Sequence, residues 1–389
     1  MIVGASVLQL PAIQKAKEMG LEVAVVDYNP KAVGIECADK YYNASTIDEE
    51  AVLAAALDFR PDGIMTLATD MPMRSVARVA ETLKLPGISY DTAVRATDKY
   101  EMIKAFKTFN VPSPWFFVVD AKEELECIKD NLSFPCIIKP TDNAGSHGVG
   151  KVDSYDELIE KFEYSKSNSR GGKVIIEEFL EGPEVSVEMI VQNGKMEVLQ
   201  ITDKITTNAP YFVEMGHSQP SSLSKEIQYA IKDVAIRACE AVGINSGPAH
   251  VEMKITPRGP VMIELGARMG GDNITTHLVP LSTGIDMVKA TIDVALGRNP
   301  DISPKFEKAS AIRYITAPLG IIESIQGIDK ALNLESIKQI TLVKDKGEES
   351  GEIKSSNDRI GFVIAQGENV KEAIKSCENA LKTIIIKVN

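Results

Sequence analysis

Cysteine is scarce in this chain and is never arranged for pairing. Cys37, Cys127, Cys136, Cys239 and Cys377 are scattered, odd in number and nowhere form a CxxC motif. That spacing argues against a disulfide framework or a zinc cluster and favours a reducing compartment. No stretch reaches the ~18 apolar residues expected of a spanning helix. The opening MIVGASVLQLPAIQKAKEMG lacks a basic segment ahead of its apolar residues, so it does not read as a signal peptide. The expectation is a cytoplasmic protein with no membrane partner. Positive charge is also in deficit: 43 Lys and Arg face 55 Asp and Glu, a net charge of −12. No nucleic-acid partner is expected from that balance or from any basic stripe. The GxGxxG of a dinucleotide site is missing, with Gly4 standing alone, and so is the GxxxxGK[ST] of a Walker loop.

What is present is ordinary globular composition, 44% hydrophobic and 25% charged over 389 residues. At about 100–200 residues per domain this predicts two to four domains, each able to bury a core. The first part alternates strand and helix: Ile2-Val3, an amphipathic run Leu8–Met19, a buried strand Leu21–Val26 ending at Asp27, a helix Asp48–Phe59 and an apolar strand Gly63–Ala68. Such alternation predicts a parallel, doubly wound sheet. Its first strand is short, so either the native chain starts earlier or the strand frays. From about residue 91 the pattern changes to a helix Thr97–Phe106, a stiff Val111–Pro114 connection, and a strand–helix–strand–glycine-loop–helix–strand block through Glu178. An antiparallel pair over 183–204 turns at Asn193-Gly194, helices fill 224–242 and 284–297, and the tail from 309 is a small α/β unit. The expected domains are 1–90, 91–308 and 309–389, in an α/β and α+β multidomain chain.

Four segments carry the chemistry. In Phe134-Pro-Cys-Ile-Ile-Lys-Pro140, Lys139 ends an apolar strand, well placed to meet a buried anion. The following loop holds Ser146 and His147 between Gly145 and Gly148, which reads either as a plain turn or as backbone cradling phosphate. In Val174–Val187, a strand runs into Glu177-Glu178-Phe179-Leu180, a linker offering backbone groups edge-on to a purine. Glu184 emerges beyond it where a ribose could be held; the bland reading is solvated edge acids. The third segment is the most specific. Two-residue periodicity aligns His250, Glu252 and Lys254 on one strand face, and a hairpin turning at Pro257–Gly259 sets Glu252 beside Glu264. Neighbouring carboxylates on apolar strands predict a hard cation such as Mg2+, and Arg268 adds a planar donor for phosphate or carboxylate. The fourth, Asp203–Pro220, shows no apolar periodicity and reads as a long functional loop carrying Lys204, Glu214 and His217.

Taken in this order, the four segments resemble the ATP-grasp superfamily, and within it carboxylate–amine ligases, above all the L-amino-acid ligases that form dipeptides. The resemblance covers nearly the whole chain. It implies a Rossmann-like N-terminal domain, a central ATP-grasp domain with a mobile lid at about 115–180, and a small C-terminal α/β cap. It assigns Lys99 and Lys139 to the nucleotide phosphates and Ser146, His147 and Gly148 to the loop over them. Glu177, Glu178, Phe179 and Leu180 fall at the adenine hinge and Glu184 at the ribose. Glu252 and Glu264 match the metal acids and Arg268 the arginine that stabilises an acyl phosphate. Glu214 and His217 match an acid and a histidine beside the first substrate's amino group, and Gly270 and Gly271 join the substrate side. The family's Asn two residues past the second metal acid is replaced by Gly266, as in the amino-acid ligases. Asp272 stands where some dipeptide ligases carry an aromatic wall.

The resemblance implies ATP and Mg2+, with Mn2+ as a substitute, small carboxylate and amine substrates, and a homodimer. The implied reaction passes through an acyl phosphate and releases ADP and phosphate. The alternatives are another acyl-phosphate enzyme, purine-pathway or carbamoyl-phosphate-synthase-like, or a nucleotide-binding regulatory protein without turnover.

Overall fold

The structure, a computed structural model, describes residues 1–143, 148–209 and 211–389. The chain opens as a parallel sheet of β1 (Ile2–Val3), β2 (Ala24–Asp27) and β3 (Lys40–Asn43), in that spatial order. Every residue of β2 is buried, as a strand covered on both faces must be. One face packs Ile2 and Val25 against Ile13 and Ala16 of the helix Leu10–Glu18 and against the helix Met287–Ala295. The other packs Val3 and Val26 against Val52, Ala56, Val76 and Val79 of the helices Glu49–Phe59 and Met73–Leu83. The expected strand Gly63–Ala68 does not form. Only Met65 pairs, as a single parallel bridge to Ile2, because two-residue β1 offers no longer edge and Ala68 leaves extended space at φ 61°.

The expected helix Thr97–Phe106 is two helices, Tyr90–Thr97 and Lys99–Thr108. Asp98 breaks them: its backbone is extended and its carboxylate accepts the amide N–H of Tyr100 and Glu101. Lys99 therefore stands at the start of a helix rather than within one. Beyond it lies a four-stranded antiparallel sheet of β4 (Phe116–Val119), β5 (Cys136–Pro140), β6 (Gly150–Val152) and β7 (Val174–Glu178), ordered β4-β7-β5-β6. Cys136, Ile138, Val174 and Ile176 alternate onto the helix Tyr155–Ser167, which contributes Leu158 and Phe162. The same alternation turns Lys139 and Glu177 to the opposite face.

The larger sheet is built from β8 (Glu184–Gln192), β9 (Lys195–Thr206), β10 (Glu214–Gln219), β11 (Gly247–Thr256), β12 (Gly259–Gly266) and β13 (Ala309–Ile315), with β15 (Ile337–Leu342) and β17 (Gly361–Gly367) from the tail; β14 (Gly320–Gln326), β16 (Glu349–Ser350) and β18 (Ile385–Val388) form a separate three-stranded sheet. The large sheet is antiparallel throughout, ordered β12-β11-β8-β9-β10-β13-β17-β15. It runs without interruption across residue 308. Its covered face holds Val185, Val187, Met189, Val251 and Met253 against the helix Lys225–Val242.

Two local expectations change here. Asp203–Pro220 is mostly strand, with β9 and β10 separated only by residues 207–213. The two-residue periodicity is present, but charged side chains carry it, so it escapes a search for apolar alternation. Glu177 and Glu178 belong to β7 itself, and the connection between the sheets is residues 179–183. Among the described residues, no helix is long and apolar enough to cross a membrane.

The connection is held tightly. Gly182 has φ 137°, and a Cβ there would lie 2.0 Å from the carbonyl oxygen of Ile255, whose own N–H donates to the Pro183 carbonyl at 2.8 Å. Gly182→Ala is expected to lower unfolding stability by about 1–3 kcal/mol, read as a lower urea midpoint at unchanged m. An unchanged midpoint would mean that the connection is not anchored at Ile255.

Candidate functional site

The site is organised by the β11–β12 hairpin, whose register sets Glu252 directly opposite Glu264. Two carboxylates this close repel unless cations lie beside them. Lys99 Nζ is 3.0 Å from Glu264 Oε2, Lys204 Nζ is 3.0 Å from Glu252 Oε2, and His250 Nε2 is 2.9 Å from Glu252 Oε1. Lys99 holds the Glu264 carboxyl below the usual range against the cost of burial. Burial pushes Glu252 up, but Lys204 and His250 outweigh it and hold that carboxyl well below its ordinary value. Both acids are thus kept ionised.

Lys204 is the cationic centre of this face, with a side chain only 2% exposed. Besides Glu252, it lies 2.8 Å from Glu184 Oε1 and 3.7 Å from Glu214 Oε1. Burial opposes its charge, yet the three carboxylates hold its pKa well above normal. Lys254 Nζ reaches the other oxygen of Glu184 at 3.1 Å. Glu214 differs from its neighbours. Burial raises its pKa, with Lys204 opposing and Asp272 and Glu252 adding to the rise. Behind this layer, His250 Nδ1 is 2.9 Å from Oε1 of Glu188, which is fully buried and also accepts from Ser186 Oγ at 2.9 Å. A Cβ on Gly270 would lie 2.6 Å from His250 Nδ1, so glycine lets the 268–273 backbone rest on this pair. Gly271 has open space, with Ala68 nearest at 3.8 Å.

The opposite wall comes from the smaller sheet. Lys139 and Glu177 form a buried ion pair at 2.6 Å, so Glu177 faces Lys139 instead of standing free at the connection. Lys99 also donates to the Asn143 carbonyl at 2.9 Å and its backbone N–H to Thr141, tying its helix to the loop after β5. Glu178 takes Arg258 at 2.7 Å, Leu180 is buried, and the Phe179 ring lies 6.3 Å from that of Phe212. Gly148 has φ 79°. Ser146 and His147 lie outside the described residues.

At the far end, Asp272 is gripped by both terminal nitrogens of Arg359 at 2.9 and 3.0 Å, with His217 Nε2 at 3.4 Å. The Arg359 guanidinium lies 3.8 Å over the Tyr314 ring. Arg268 is likewise held by a carboxylate, both oxygens of Asp70. Sequence reasoning missed Asp70, Glu188, Tyr314 and Arg359. Asp70 follows the run 63–68 at the carboxyl end of a parallel sheet, the place where such sheets present ligand-facing residues. Glu188 is an acid inside the apolar run Val185–Val191, a recognisable signal. Arg359 carries no local signal.

Among the described residues, no group of three or more His, Cys, Asp or Glu is gathered as a metal nest. Glu252 and Glu264 offer paired, ionised, all-oxygen donors that suit a hard cation completing its shell with phosphate or water.

Comparison with known proteins bears on the domains and the fold. Residues 132–277 match an ATP-grasp domain and residues 313–389 match the L-amino acid ligase C-terminal domain 2. The chain is 29% identical to alanine–anticapsin ligase of Bacillus subtilis over 65% of its own length and 58% of the relative's. Over its full length it superimposes on an L-amino acid ligase from Bacillus licheniformis at TM-score 0.85 and 23% identity, covering 98% of that chain. Phosphoribosylglycinamide synthetase from Anaerococcus prevotii gives TM-score 0.81 at 27% identity, also over the full chain and 98% of the other. The fold is the ATP-grasp fold.

The His250 network predicts a pH signature. Its carboxylate partners push the imidazole up to about 9 against burial, which lowers it. A histidine raised from about 6.5 on folding contributes stability that is complete below pH 6.5 and lost as pH rises through 9. The unfolding free energy of the wild type, relative to His250→Gln, is expected to fall by on the order of 2–3 kcal/mol between pH 6 and 10. Parallel pH profiles in urea titrations would show instead that His250 is neutral in the fold.

Proposed function

We propose that this chain, in which residues 132–277 match an ATP-grasp domain and residues 313–389 an L-amino acid ligase C-terminal domain, is an ATP-grasp ligase that joins an amino acid, as carboxylate donor, to a second amine. The observation that carries this reading is the opposed, ionised Glu252–Glu264 pair flanked by Lys204 and Lys99, with Glu214 part-exposed beside it. The reaction forms a donor-carboxylate–phosphoryl bond as the bond between the β–γ bridging oxygen and the γ-phosphorus breaks, giving ADP. The amine then displaces phosphate from the acyl carbon, loses a proton and leaves an amide.

Glu252 and Glu264 would hold a divalent cation, Mg2+ or in its place Mn2+, which when bound supplies neutralisation of phosphate charge. Lys99, now balancing Glu264, exchanges that carboxylate for phosphate oxygens, and Lys139 meets the same phosphates from the other wall. Phe179 and Leu180 border the base and Glu184 the ribose. Arg268 faces charge growing on the transferred phosphoryl and the acyl carbon, a contribution of position and electrostatics with no side-chain nucleophile. Residues 115–180 act as the lid that keeps water from the acyl phosphate. Glu214 takes the donor's ammonium group, Gly271 leaves room for its main chain, and Gly270 borders that space while its own backbone rests on the His250–Glu188 pair. A purine-pathway reading is supported by the phosphoribosylglycinamide synthetase likeness. The amino-acid reading is preferred because Arg359 reaches the donor end from the segment that matches an L-amino acid ligase domain.

The test is phosphate release from MgATP against single and paired amino acids, with mass spectrometry of products. A product mass equal to the two substrates less water is expected. Glu264→Gln should lower the rate by about 10²–10³-fold, as loss of a charge-stabilising group does. MgATP binding without release in any mixture would favour the regulatory alternative. For Glu214, the raised pKa places the acid limb of kcat/KM for the donor above an ordinary carboxylate's value of about 4.3. Glu214→Ala should abolish that limb and cut kcat/KM by about tenfold or more. An unchanged limb would remove Glu214 from the donor site.

A further inference from the structure

We propose that Asp70 is a positioning residue for Arg268, through which the N-terminal sheet sets the geometry of the reaction centre; this rests on the ligase reading above. Asp70 and Arg268 are 198 positions apart. Arg268 Nε donates to Asp70 Oδ1 at 3.0 Å and Nη2 to Oδ2 at 2.8 Å, while Nη1 donates to the Met269 carbonyl at 3.2 Å. A two-point carboxylate contact fixes the plane of a guanidinium as well as its position. Three of the five N–H groups are engaged, and the other two have no partner among the described residues. Those two donors remain for an incoming anion, on a group that also feels Glu252 and Glu264.

Two independent features serve this contact. Gly266, two residues past Glu264, has no left-handed backbone that would demand glycine, but a Cβ there would lie 2.5 Å from Asp70 Oδ1 and 2.9 Å from Arg268 Nε. The ion pair fills the space a side chain at 266 would take. Ala68 is held at φ 61°, a conformation that a residue with a Cβ adopts only under constraint, and it turns the chain so that Asp70 reaches β12. Its carbonyl and methyl stand 3.8 Å from the Cβ position of Gly271, so the 68–70 segment lies along the 266–271 run.

A residue that only orients Arg268 should alter turnover and phosphate recognition while leaving nucleotide binding intact. D70N keeps the shape and removes the charge; G266A keeps both charges and forces the pair apart. Each is expected to lower kcat by about 30-fold, with KM for MgATP within about twofold, since misplacing a catalytic group by 1 Å costs on this scale. The double variant should be no slower than the slower single variant, because both act on one pair. Calorimetry provides a readout that does not require the amino-acid substrates. Inorganic phosphate should bind the wild-type MgADP complex at least about tenfold more tightly than the D70N complex, with MgADP affinity unchanged. Additive kinetic effects, kcat within about threefold of wild type, or equal phosphate affinity would overturn the proposal while leaving the ligase reading intact. Faster turnover by D70N would identify Asp70 as a restraint on Arg268 and equally overturn it. A wild-type protein that binds no MgADP would overturn the ligase reading and this proposal together. Should G266A fail to fold, D70N alone decides through the phosphate titration.

Discussion

Everything at the centre of this molecule is arranged around one electrostatic problem, the opposition of Glu252 and Glu264 on neighbouring strands. Cross-strand register fixes their separation, so the fold cannot relieve their repulsion by moving them. Compensating charge comes instead from three directions: Lys99 at the start of a helix, Lys204 on β9 and His250 on β11 itself. Lys204 is then shared with Glu184 and Glu214, and His250 with Glu188, giving a connected network around Glu252 instead of isolated pairs. Such networks are poor sources of net stability, because desolvation consumes most of the Coulomb gain, and they are costly to break at one member. The arrangement is better understood as holding a set of ionised groups ready than as a device for stability.

This constraint explains how the sheets are used. The large sheet gives one face to ordinary apolar packing against the helix Lys225–Val242. On the other face, β8, β9, β10 and β11 contribute Glu184, Lys204, Glu214 and Glu252 to a single ionic layer. The smaller sheet repeats the division, with Phe162 under one face and the Lys139–Glu177 pair on the other. The two polar faces are linked through Lys99, which touches the loop after β5 and β12 at once.

The sequence made the hairpin legible because Glu252 and Glu264 interrupt two apolar strands at two-residue spacing around a short turn. Lys139 was legible for a similar reason, as a cation closing an apolar strand. The β9–β10 pair was hidden, since its alternation is of charge and not of hydrophobicity, and Lys204, Glu214 and His217 looked like loop residues. The break at Asp98 was also obscured by continuous helical composition, although Asp is a favoured N-cap. Long-range partnerships were beyond reach. Nothing near Arg359 points to Asp272, 87 positions away, and nothing near Arg268 points to Asp70.

Under the proposed function, those long-range pairs also bear on which acid is left for a substrate's ammonium group at the far end of the site. Asp272 and Glu214 both lie there, and composition alone would give them equal claim to an ammonium group. Asp272 is already saturated: Arg359 takes both its oxygens while stacked on Tyr314, and His217 stands beside it. Its carboxyl is held below the usual range despite burial, so it gains little from a further cation. Among the described residues, the Glu214 carboxylate has only the longer contact to Lys204 at 3.7 Å; its side chain is one-third exposed and burial raises its pKa. An incoming ammonium therefore relieves strain at Glu214 that it would not relieve at Asp272. In the proposed reading the tail of the chain does not bind the donor directly; by neutralising Asp272, Arg359 leaves Glu214 as the acid available to it.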